Sequence, residues 1–169
     1  MEKKKMIILF GSDGSGKTTI ANTLSYITGY KIKHFGPAKS LEDGKQEYFS
    51  FARDNNEDII LDRFYEGERI YAPLYRGYSA DYFRELEKEL MEKYEVLLVL
   101  VYAPYNIIEK RLNERGEDFV AKEHFRTCYN AVTQEFNDSI LPKMMIDTNE
   151  DHKIFNSIKI LTKLNGYNL

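Results

Sequence analysis

Nine consecutive residues near the start of the chain have the types and the spacing needed to bind a phosphate chain. They match the pattern Gly-x-x-x-x-Gly-Lys-Ser/Thr, follow an apolar run over 6–10 and precede a helix-forming segment. Glycines let successive amide groups turn inward around an anion, and a helix start adds unpaired N–H groups. The stretch predicts a nucleotide triphosphate site formed by Gly11, Ser12, Asp13, Gly14, Ser15, Gly16, Lys17, Thr18 and Thr19.

Two side chains of this loop are suited to bind the phosphates and their metal ion. Lys17 is a flexible cation that can reach the β- and γ-phosphate oxygens, and the Thr18 hydroxyl is placed to bind Mg²⁺. The alternative is a glycine-rich turn that matches the pattern by chance. The strand before it and the helix after it favour the nucleotide site.

Two charged residues come at the end of another predicted strand. The short apolar segment 58–62 ends in Asp62 and is followed by Arg63. In doubly wound sheets, ligands bind at the carboxyl ends of the strands, so we expect both charges beside the phosphates. An ordinary surface ion pair is the alternative.

Helices and strands alternate along the rest of the chain. Hydrophobic periodicity and capping residues predict strands over 6–10, 30–35, 58–62, 96–101 and 143–147, with helices over 16–28, from 40, over 79–94, 105–115, 121–140 and 151–164. Gly44 lowers the helix propensity of the second helix. The pattern predicts one α/β domain over 1–169, with a parallel sheet covered by helices on both faces.

Composition excludes several classes of protein. No apolar run is long enough to cross a bilayer, and the basic N-terminal residues are followed by a run too short for a signal peptide, so we expect a cytoplasmic protein without a membrane partner. The net charge of −3 argues against a protein that mainly coats nucleic acid. Cys128 is the only cysteine, so no internal disulfide can form, and its apolar surroundings predict a packing role.

Motifs outside the phosphate loop distinguish the classes of nucleotide-binding protein. A GTPase is expected to carry an Asn-Lys-x-Asp segment, which the sequence lacks. An oligomeric ATPase usually has an apolar run that ends in Asp-Glu, whereas here the strand ends in Asp62 and Arg63. A kinase and a nucleotide-dependent switch without acceptor chemistry remain.

Three segments together resemble thymidylate kinase and related deoxynucleoside monophosphate kinases. They are residues 11–19, the run Leu-Asp-Arg-Phe at 61–64, and the charged segment 110–118. The run over 62–77 is similar to the short members that phages encode, which would act in the host cytoplasm. The resemblance implies a three-layer P-loop kinase fold with a small helical lid over about 111–126. It also implies ATP and Mg²⁺ as cofactors, small-molecule nucleotide substrates and a possible homodimer.

The resemblance also assigns roles at the reacting end of the site. Asp13 corresponds to a loop acid that contacts the sugar of the acceptor, although an exposed loop carboxylate is the simpler interpretation. Asp62 resembles the acid that orients the Mg²⁺ shell. Arg63 resembles the arginine that grips the acceptor phosphate, for which a bidentate guanidinium suits a dianion.

The resemblance implies an acceptor pocket along the next helix. Tyr71 matches a tyrosine that helps to exclude a ribose 2′-hydroxyl, although packing is the alternative for a residue type that occurs 13 times. Arg53 and Phe49 could read a pyrimidine by hydrogen bonding and stacking, or simply lie on a helix face. The full set of predicted substrate contacts is Asp13, Phe35, Phe49, Arg53, Arg63, Glu68, Tyr71 and Arg76.

The lid implied by the resemblance would supply cations to the phosphoryl group in transfer. Arg111 and Arg115 are four residues apart and share a helix face, so both are candidates, with a solvated charged face as the alternative. Lys122 and Arg126 are weaker candidates. Many thymidylate kinases have an arginine where this chain has Gly14 or near Phe119, so the source of the transition-state cation stays open.

The sequence therefore predicts a small kinase that transfers the γ-phosphoryl group of ATP to the 5′-phosphate of a deoxyribonucleoside monophosphate, with dTMP or a 5-modified dUMP favoured. Its catalytic residues would be Lys17, Asp13, Arg63, Arg115 and Arg111, and its metal ligands Thr18 and Asp62. The alternative is a kinase that acts on a hydroxyl group of a polynucleotide, a nucleoside or a hydroxymethylated base in DNA. Only that alternative gives the protein a nucleic-acid partner.

Overall fold

Strands and helices alternate along most of the chain in the computed structural model, which describes residues 2–116 and 122–166. The elements are β1 (Lys4–Phe10), α1 (Lys17–Thr28), β2 (Lys31–His34), α2 (Leu41–Asp54), β3 (Ile59–Asp62), α3 (Tyr65–Tyr75), α4 (Phe83–Lys93), β4 (Tyr94–Tyr102), α5 (Tyr105–Arg115), α6 (Lys122–Asp138), β5 (Lys143–Asp147) and α7 (Lys153–Leu164).

The five strands form one sheet in the order β2-β3-β1-β4-β5, and every neighbouring pair is parallel. The chain leaves β1 in the middle of the sheet, with β3 on one side and β4 on the other. Such a reversal of strand order opens a crevice at the carboxyl ends of the strands. The loop over 11–16 follows β1 and therefore lies at that crevice.

Alternating residues of β1 point into two separate cores. Met6 and Ile8 pack with side chains of α2, α3, α4 and α6, whereas Ile7 and Leu9 pack with side chains of α1 and α7. All four are fully buried, as expected for a central strand covered on both faces. The predicted α/β architecture with helices on both faces is confirmed.

Most predicted elements agree with the structure, with differences at their ends. The helix predicted over 79–94, with Ser79 as its cap, starts later than predicted, because α4 begins only at Phe83. Its predicted end at Tyr94 is also wrong, since Tyr94 is already the first residue of β4. The phenol ring of Tyr94 is buried and its hydroxyl donates to the Ala52 and Asn55 carbonyls, which fixes the strand start there.

The capping motif predicted for α2 is present. The Ser40 hydroxyl accepts from the Asp43 amide at 3.1 Å and donates to the Asp43 carboxylate at 2.8 Å. Gly44 does not interrupt the helix. A Cβ at this position would lie 3.0 Å from both the Ala38 Cβ and the Tyr82 hydroxyl, so the glycine allows close packing.

Two further observations concern the single cysteine and the length of the helices. Cys128 is 2% exposed and belongs to the larger core, which confirms its predicted packing role. Among the helices of the described residues, none has both the length and the apolar character that a membrane crossing requires.

A buried acid lies at the start of α3. Glu66 is 2% exposed, and neither of its carboxylate oxygens has a hydrogen-bond partner among the described residues. The hydroxyl of the preceding Tyr65 donates to Glu87 instead, at 2.5 Å. Burial, together with the nearby Glu87 carboxylate, raises the pKa of Glu66 from 4.5 to about 8. The folded protein therefore keeps a proton on Glu66 at neutral pH.

We expect Glu66→Gln to stabilise the protein at pH 8 and to flatten its pH dependence. Between pH 4.5 and 8 the folded state holds a proton that the unfolded state has lost, so the wild-type free energy of unfolding falls as pH rises. Glutamine is neutral at every pH, so at pH 8 the variant should gain about 1–2 kcal/mol relative to wild type, within the range for a buried polar group. Urea unfolding at pH 5.5 and pH 8 measures this, with the exposed Glu92→Gln as control. Equal pH slopes in the two variants would contradict the prediction.

Candidate active site

The loop between β1 and α1 passes so close to β4 that its first residue cannot carry a side chain. A Cβ at Gly11 would lie 2.3 Å from the Val101 carbonyl oxygen. At the other end of the loop, Gly16 has φ 97° and caps α1, a conformation that glycine adopts without steric cost. These two glycines fix where the loop starts and where the helix dipole begins.

Lys17 turns back onto the loop that precedes it. Its ammonium donates to the Gly11 carbonyl at 2.8 Å and to the Ser12 carbonyl at 2.7 Å, and the residue is 6% exposed. Burial lowers the pKa of Lys17 from 10.5 to about 8, although the Asp13 carboxylate opposes that effect. The cation predicted for the phosphates is therefore held at the loop, with a proton that it loses near pH 8.

Arg111 and Thr148 brace the loop from its outer side. The Arg111 guanidinium donates to the Gly14 carbonyl at 3.1 Å and to the Thr148 carbonyl at 2.5 Å. The Thr148 hydroxyl donates to the Ser15 carbonyl at 2.5 Å. Arg111 on α5 and Thr148 after β5 thus bind two carbonyls of the loop and hold it in place.

Arg63 faces the loop from the end of β3. Its φ of 75° is the only left-handed backbone conformation at a non-glycine position within 2–116 and 122–166. Such strain is characteristic of sites where the surrounding structure holds a residue in place for function. The guanidinium donates to the Asp13 carboxylate at 2.5 Å, and Asp13 is itself 8% exposed. This ion pair links the loop after β1 to the end of β3.

Thr18 and Asp62 come together as the metal prediction requires. The Thr18 hydroxyl donates to Asp62 Oδ2 at 2.8 Å. Asp62 is 4% exposed, and its Oδ1 has no partner among the described residues. A buried carboxylate oxygen without a donor is costly, and a bound cation would satisfy it. The two residues therefore fit Mg²⁺, which usually binds through one or two carboxylates and the phosphates of its nucleotide.

The described residues contain no group of three or more His, Cys, Asp or Glu side chains that could hold a metal ion without help. An ion at Thr18 and Asp62 would consequently depend on oxygen atoms from a bound nucleotide.

These residues surround one cleft of about 780 Å³, within the usual size of a ligand pocket. Its walls bring together predicted residues from four parts of the chain: Asp13, Gly14, Gly16, Lys17, Thr18, Thr19, Arg63, Arg111 and Arg115. Thr148, Asn149 and Lys153 also line it. The sequence analysis missed these three, because nothing in the segment after β5 matches a motif.

Tyr71 packs against the larger core and is not among the residues that line this cleft. The residue is partly buried, and burial, followed by the charge of Asp13, raises the pKa of its phenol. Arg63 acts on the same phenol in the opposite direction. Asp13 and Arg63 thus act electrostatically on the Tyr71 phenol, and its predicted role in excluding a 2′-hydroxyl stays a prediction.

Three predicted contacts to a base lie elsewhere. Phe35 and Phe49 are 4% and 5% exposed and belong to the core beside α2, where Phe35 meets Tyr48 edge-on with ring centroids 5.4 Å apart. The Arg53 guanidinium lies on the outer surface and binds Glu89 at 2.6 Å. The structure does not bring these residues to the cleft, because α2 turns Phe49 toward the sheet and Arg53 toward α4.

Glu68 and Arg76 meet each other instead of facing the cleft. Glu68 is 3% exposed and accepts from the Ala38 amide at 3.1 Å, from Arg76 at 2.8 Å and from the Tyr78 hydroxyl at 2.6 Å. With three donors, its carboxylate is fully used in holding α3 against the chain after β2. Glu68 and Arg76 do not line this cleft, and their predicted substrate contacts stay predictions.

The structure describes only part of the predicted lid. Arg115 lines the cleft, whereas Arg126 lies over the Tyr105 ring with its Cζ 4.0 Å from the centroid. Lys122 is exposed at the start of α6. The predicted helix start at Ala121, the linker residues Glu117 and Asp118, and Phe119 lie outside the described residues.

Comparison with known proteins gives structural matches only. No family model matches the chain, and no curated protein matches its sequence. Solved structures, however, match over nearly the whole length. These structures share the fold described above, a five-stranded parallel sheet covered by helices.

Three of these structures come from different organisms. The YorR protein from Bacillus subtilis, solved with phosphorylated GDP, is 24% identical, with a TM-score of 0.77 and coverage of 98% of this chain and 99% of its own. Deoxyadenosine kinase from M. mycoides, solved with dCMP and dCDP, is 18% identical, with a TM-score of 0.64 and coverage of 95% and 98%. Shikimate kinase from Acinetobacter baumannii is 16% identical, with a TM-score of 0.57 and coverage of 98% and 95%. At these identities the likeness establishes the fold.

We expect nucleotide affinity to weaken as Lys17 loses its proton. From pH 7.5 to pH 9.5 the dissociation constant of an ATP analogue should rise roughly 20-fold, because a pKa near 8 leaves few ammonium groups at the higher pH. Calorimetric titration at several pH values measures the change. Lys17→Arg keeps its charge throughout, so its affinity should vary little over the same range. A flat wild-type profile would contradict the assignment.

Proposed function

We propose that the protein is a kinase that transfers the γ-phosphoryl group of ATP to the 5′-phosphate of a deoxyribonucleoside monophosphate. The observation that carries the proposal is the position of Arg63, whose guanidinium faces the phosphate loop across one cleft. Lys17 and the loop amides form one anion site, and Arg63 forms a second beside it. Two neighbouring anion sites are what a reaction between a triphosphate and a monophosphate requires.

Catalysis would depend on positioning and charge neutralisation, without a covalent enzyme intermediate. The loop and Lys17 would hold the triphosphate. An incoming acceptor phosphate would replace Asp13 as the partner of Arg63, since a dianion accepts a bidentate guanidinium more strongly than one carboxylate does. Asp13 would then be released beside the acceptor, where it could contact the sugar.

Thr18 and Asp62 are the residues that would hold Mg²⁺. When bound, the ion would supply positive charge that neutralises the charge developing on the phosphates. The Thr18–Asp62 hydrogen bond keeps the two ligands on the same side of the loop.

The cation for the transferring group would come from Arg115. The Arg111 guanidinium is already bound to the carbonyls of Gly14 and Thr148, and Arg126 lies over Tyr105. Arg115 lines the cleft and is exposed, so its side chain is available to a phosphate. Arg111 would act mainly by fixing the loop that binds ATP.

Tyr71 supports a deoxyribose acceptor. Its phenol is within electrostatic reach of the Asp13–Arg63 pair, and under the proposed function it would exclude a 2′-hydroxyl. The preference for dTMP or a 5-modified dUMP comes from the resemblance of residues 61–77 to thymidylate kinases. Phe35, Phe49 and Arg53 lie away from the cleft, so the base would be read by other groups.

A coupled assay for ADP release tests the proposal directly. It would compare the four deoxyribonucleoside monophosphates, 5-hydroxymethyl-dUMP, the four ribonucleotides, unphosphorylated nucleosides and an oligonucleotide with a 5′-hydroxyl. We expect turnover with one or two deoxynucleotides and at least a ten-fold lower kcat/KM with the matching ribonucleotide. Labelled phosphate on a nucleoside or an oligonucleotide would favour a hydroxyl kinase. Slow hydrolysis that no acceptor stimulates would indicate a nucleotide-dependent switch.

Arg63→Ala should separate acceptor binding from ATP binding. We expect kcat/KM for the acceptor to fall by roughly 100-fold or more, since the guanidinium that holds the acceptor phosphate is lost. The dissociation constant of ATP should change less than about three-fold, because Lys17 and the loop remain. Arg53→Ala is the matched control, since its guanidinium binds Glu89 outside the cleft and its loss should leave kcat/KM unchanged. Equal effects of the two substitutions would contradict the assignment.

A further inference from the structure

A histidine that no motif singles out lies next to the proposed cation ligands. His34 is the last residue of β2, and the register between β2 and β3 pairs it directly with Asp62. Its Nδ1 is 3.7 Å from Asp62 Oδ2. The side chain is 53% exposed, so the imidazole is open to solvent on the side away from the carboxylate.

The distance between His34 and Asp62 is longer than a hydrogen bond. The Asp62 oxygen that faces His34 already accepts a proton from Thr18 at 2.8 Å. The other oxygen of the same carboxylate is buried and has no partner among the described residues. Because 3.7 Å is longer than a hydrogen bond, a cation could bind between Asp62 Oδ2 and the imidazole nitrogen.

The distances from Asp62 Oδ2 to the other two donors suit a shared ion. In an octahedral site with bonds of about 2.1 Å, neighbouring donor atoms lie about 3 Å apart. Thr18 Oγ1 is 2.8 Å from Asp62 Oδ2, and His34 Nδ1 is 3.7 Å from the same oxygen, so a small rotation of the exposed imidazole would complete the arrangement. Phosphate oxygens from a nucleotide would fill the other positions.

We infer that His34 is a third protein ligand of the nucleotide-bound cation, and that its imidazole adapts the site to Mn²⁺ or Co²⁺ as well as Mg²⁺. Imidazole nitrogen binds first-row transition metals, whereas Mg²⁺ prefers oxygen. The inference rests on the proposed function only in that a nucleotide must occupy the loop; it does not depend on the acceptor.

Pulsed electron paramagnetic resonance on the complex with Mn²⁺ and a non-hydrolysable ATP analogue tests the inference. We expect modulation from a directly bound ¹⁴N nucleus in the wild-type protein. Labelling the protein with ¹⁵N-histidine should replace that coupling by a ¹⁵N coupling, which excludes the adenine nitrogens as its source. His34→Gln should lose the histidine coupling, and the control His124→Gln, which changes a histidine hydrogen-bonded to Tyr75, should keep it.

A second readout is the preference between the two metals. Replacement of a direct ligand typically weakens metal binding by ten-fold or more, so His34→Gln should reduce the affinity of the nucleotide complex for Mn²⁺ about ten-fold. The affinity for Mg²⁺ should change less than about three-fold. A wild-type signal without histidine nitrogen, or one that survives in His34→Gln, would overturn the inference.

These measurements contain no acceptor, so they are independent of the acceptor assay. Histidine coupling in a protein that phosphorylates no tested acceptor would support the metal ligand and count against the proposed reaction. Turnover of a deoxynucleotide by a protein without that coupling would support the proposed reaction and count against the metal ligand.

Discussion

The geometry of the site depends on the close approach of the phosphate loop to β4. Because a Cβ at Gly11 would collide with the Val101 carbonyl, the chain can turn there only with glycine. This contact places the loop in the crevice at the middle of the sheet, between the ends of β3 and β4. Lys17, Thr18 and the start of α1 follow from that turn, and Arg111 and Thr148 hold its carbonyls in place.

The sheet order explains why residues far apart in the sequence act together. β3 is the neighbour of β1, so Asp62 and Arg63 arrive beside the loop although about 50 residues separate them from it. β2 is the next strand outward, and its register with β3 brings His34 to Asp62. The carboxyl edge of three strands thus collects every charge that the proposed reaction and its cation use, apart from the arginines of α5.

The sequence was sufficient to predict the parts of the site that local patterns determine. The phosphate loop, its helix and the strand that carries Asp62 each have a signal within about ten residues, and the structure places them as predicted. The acceptor side had no such signal. Periodicity marks α2 as amphipathic, but only the packing of the whole domain decides that Phe49 faces the sheet while Arg53 meets Glu89 on α4. Likewise, the three donors on Glu68 come from elements 8 to 30 residues away, and Thr148 contacts a loop 133 residues before it.

The ion pair between Asp13 and Arg63 bears on what happens when ATP is bound and no acceptor is present. Water is the most abundant competitor for the γ-phosphoryl group in any kinase. A water molecule carries no net charge, so it offers the guanidinium nothing in exchange for a carboxylate held at 2.5 Å. An anionic acceptor does compete for the guanidinium, so under the proposed function the pair would open for an acceptor and stay closed when only water is present.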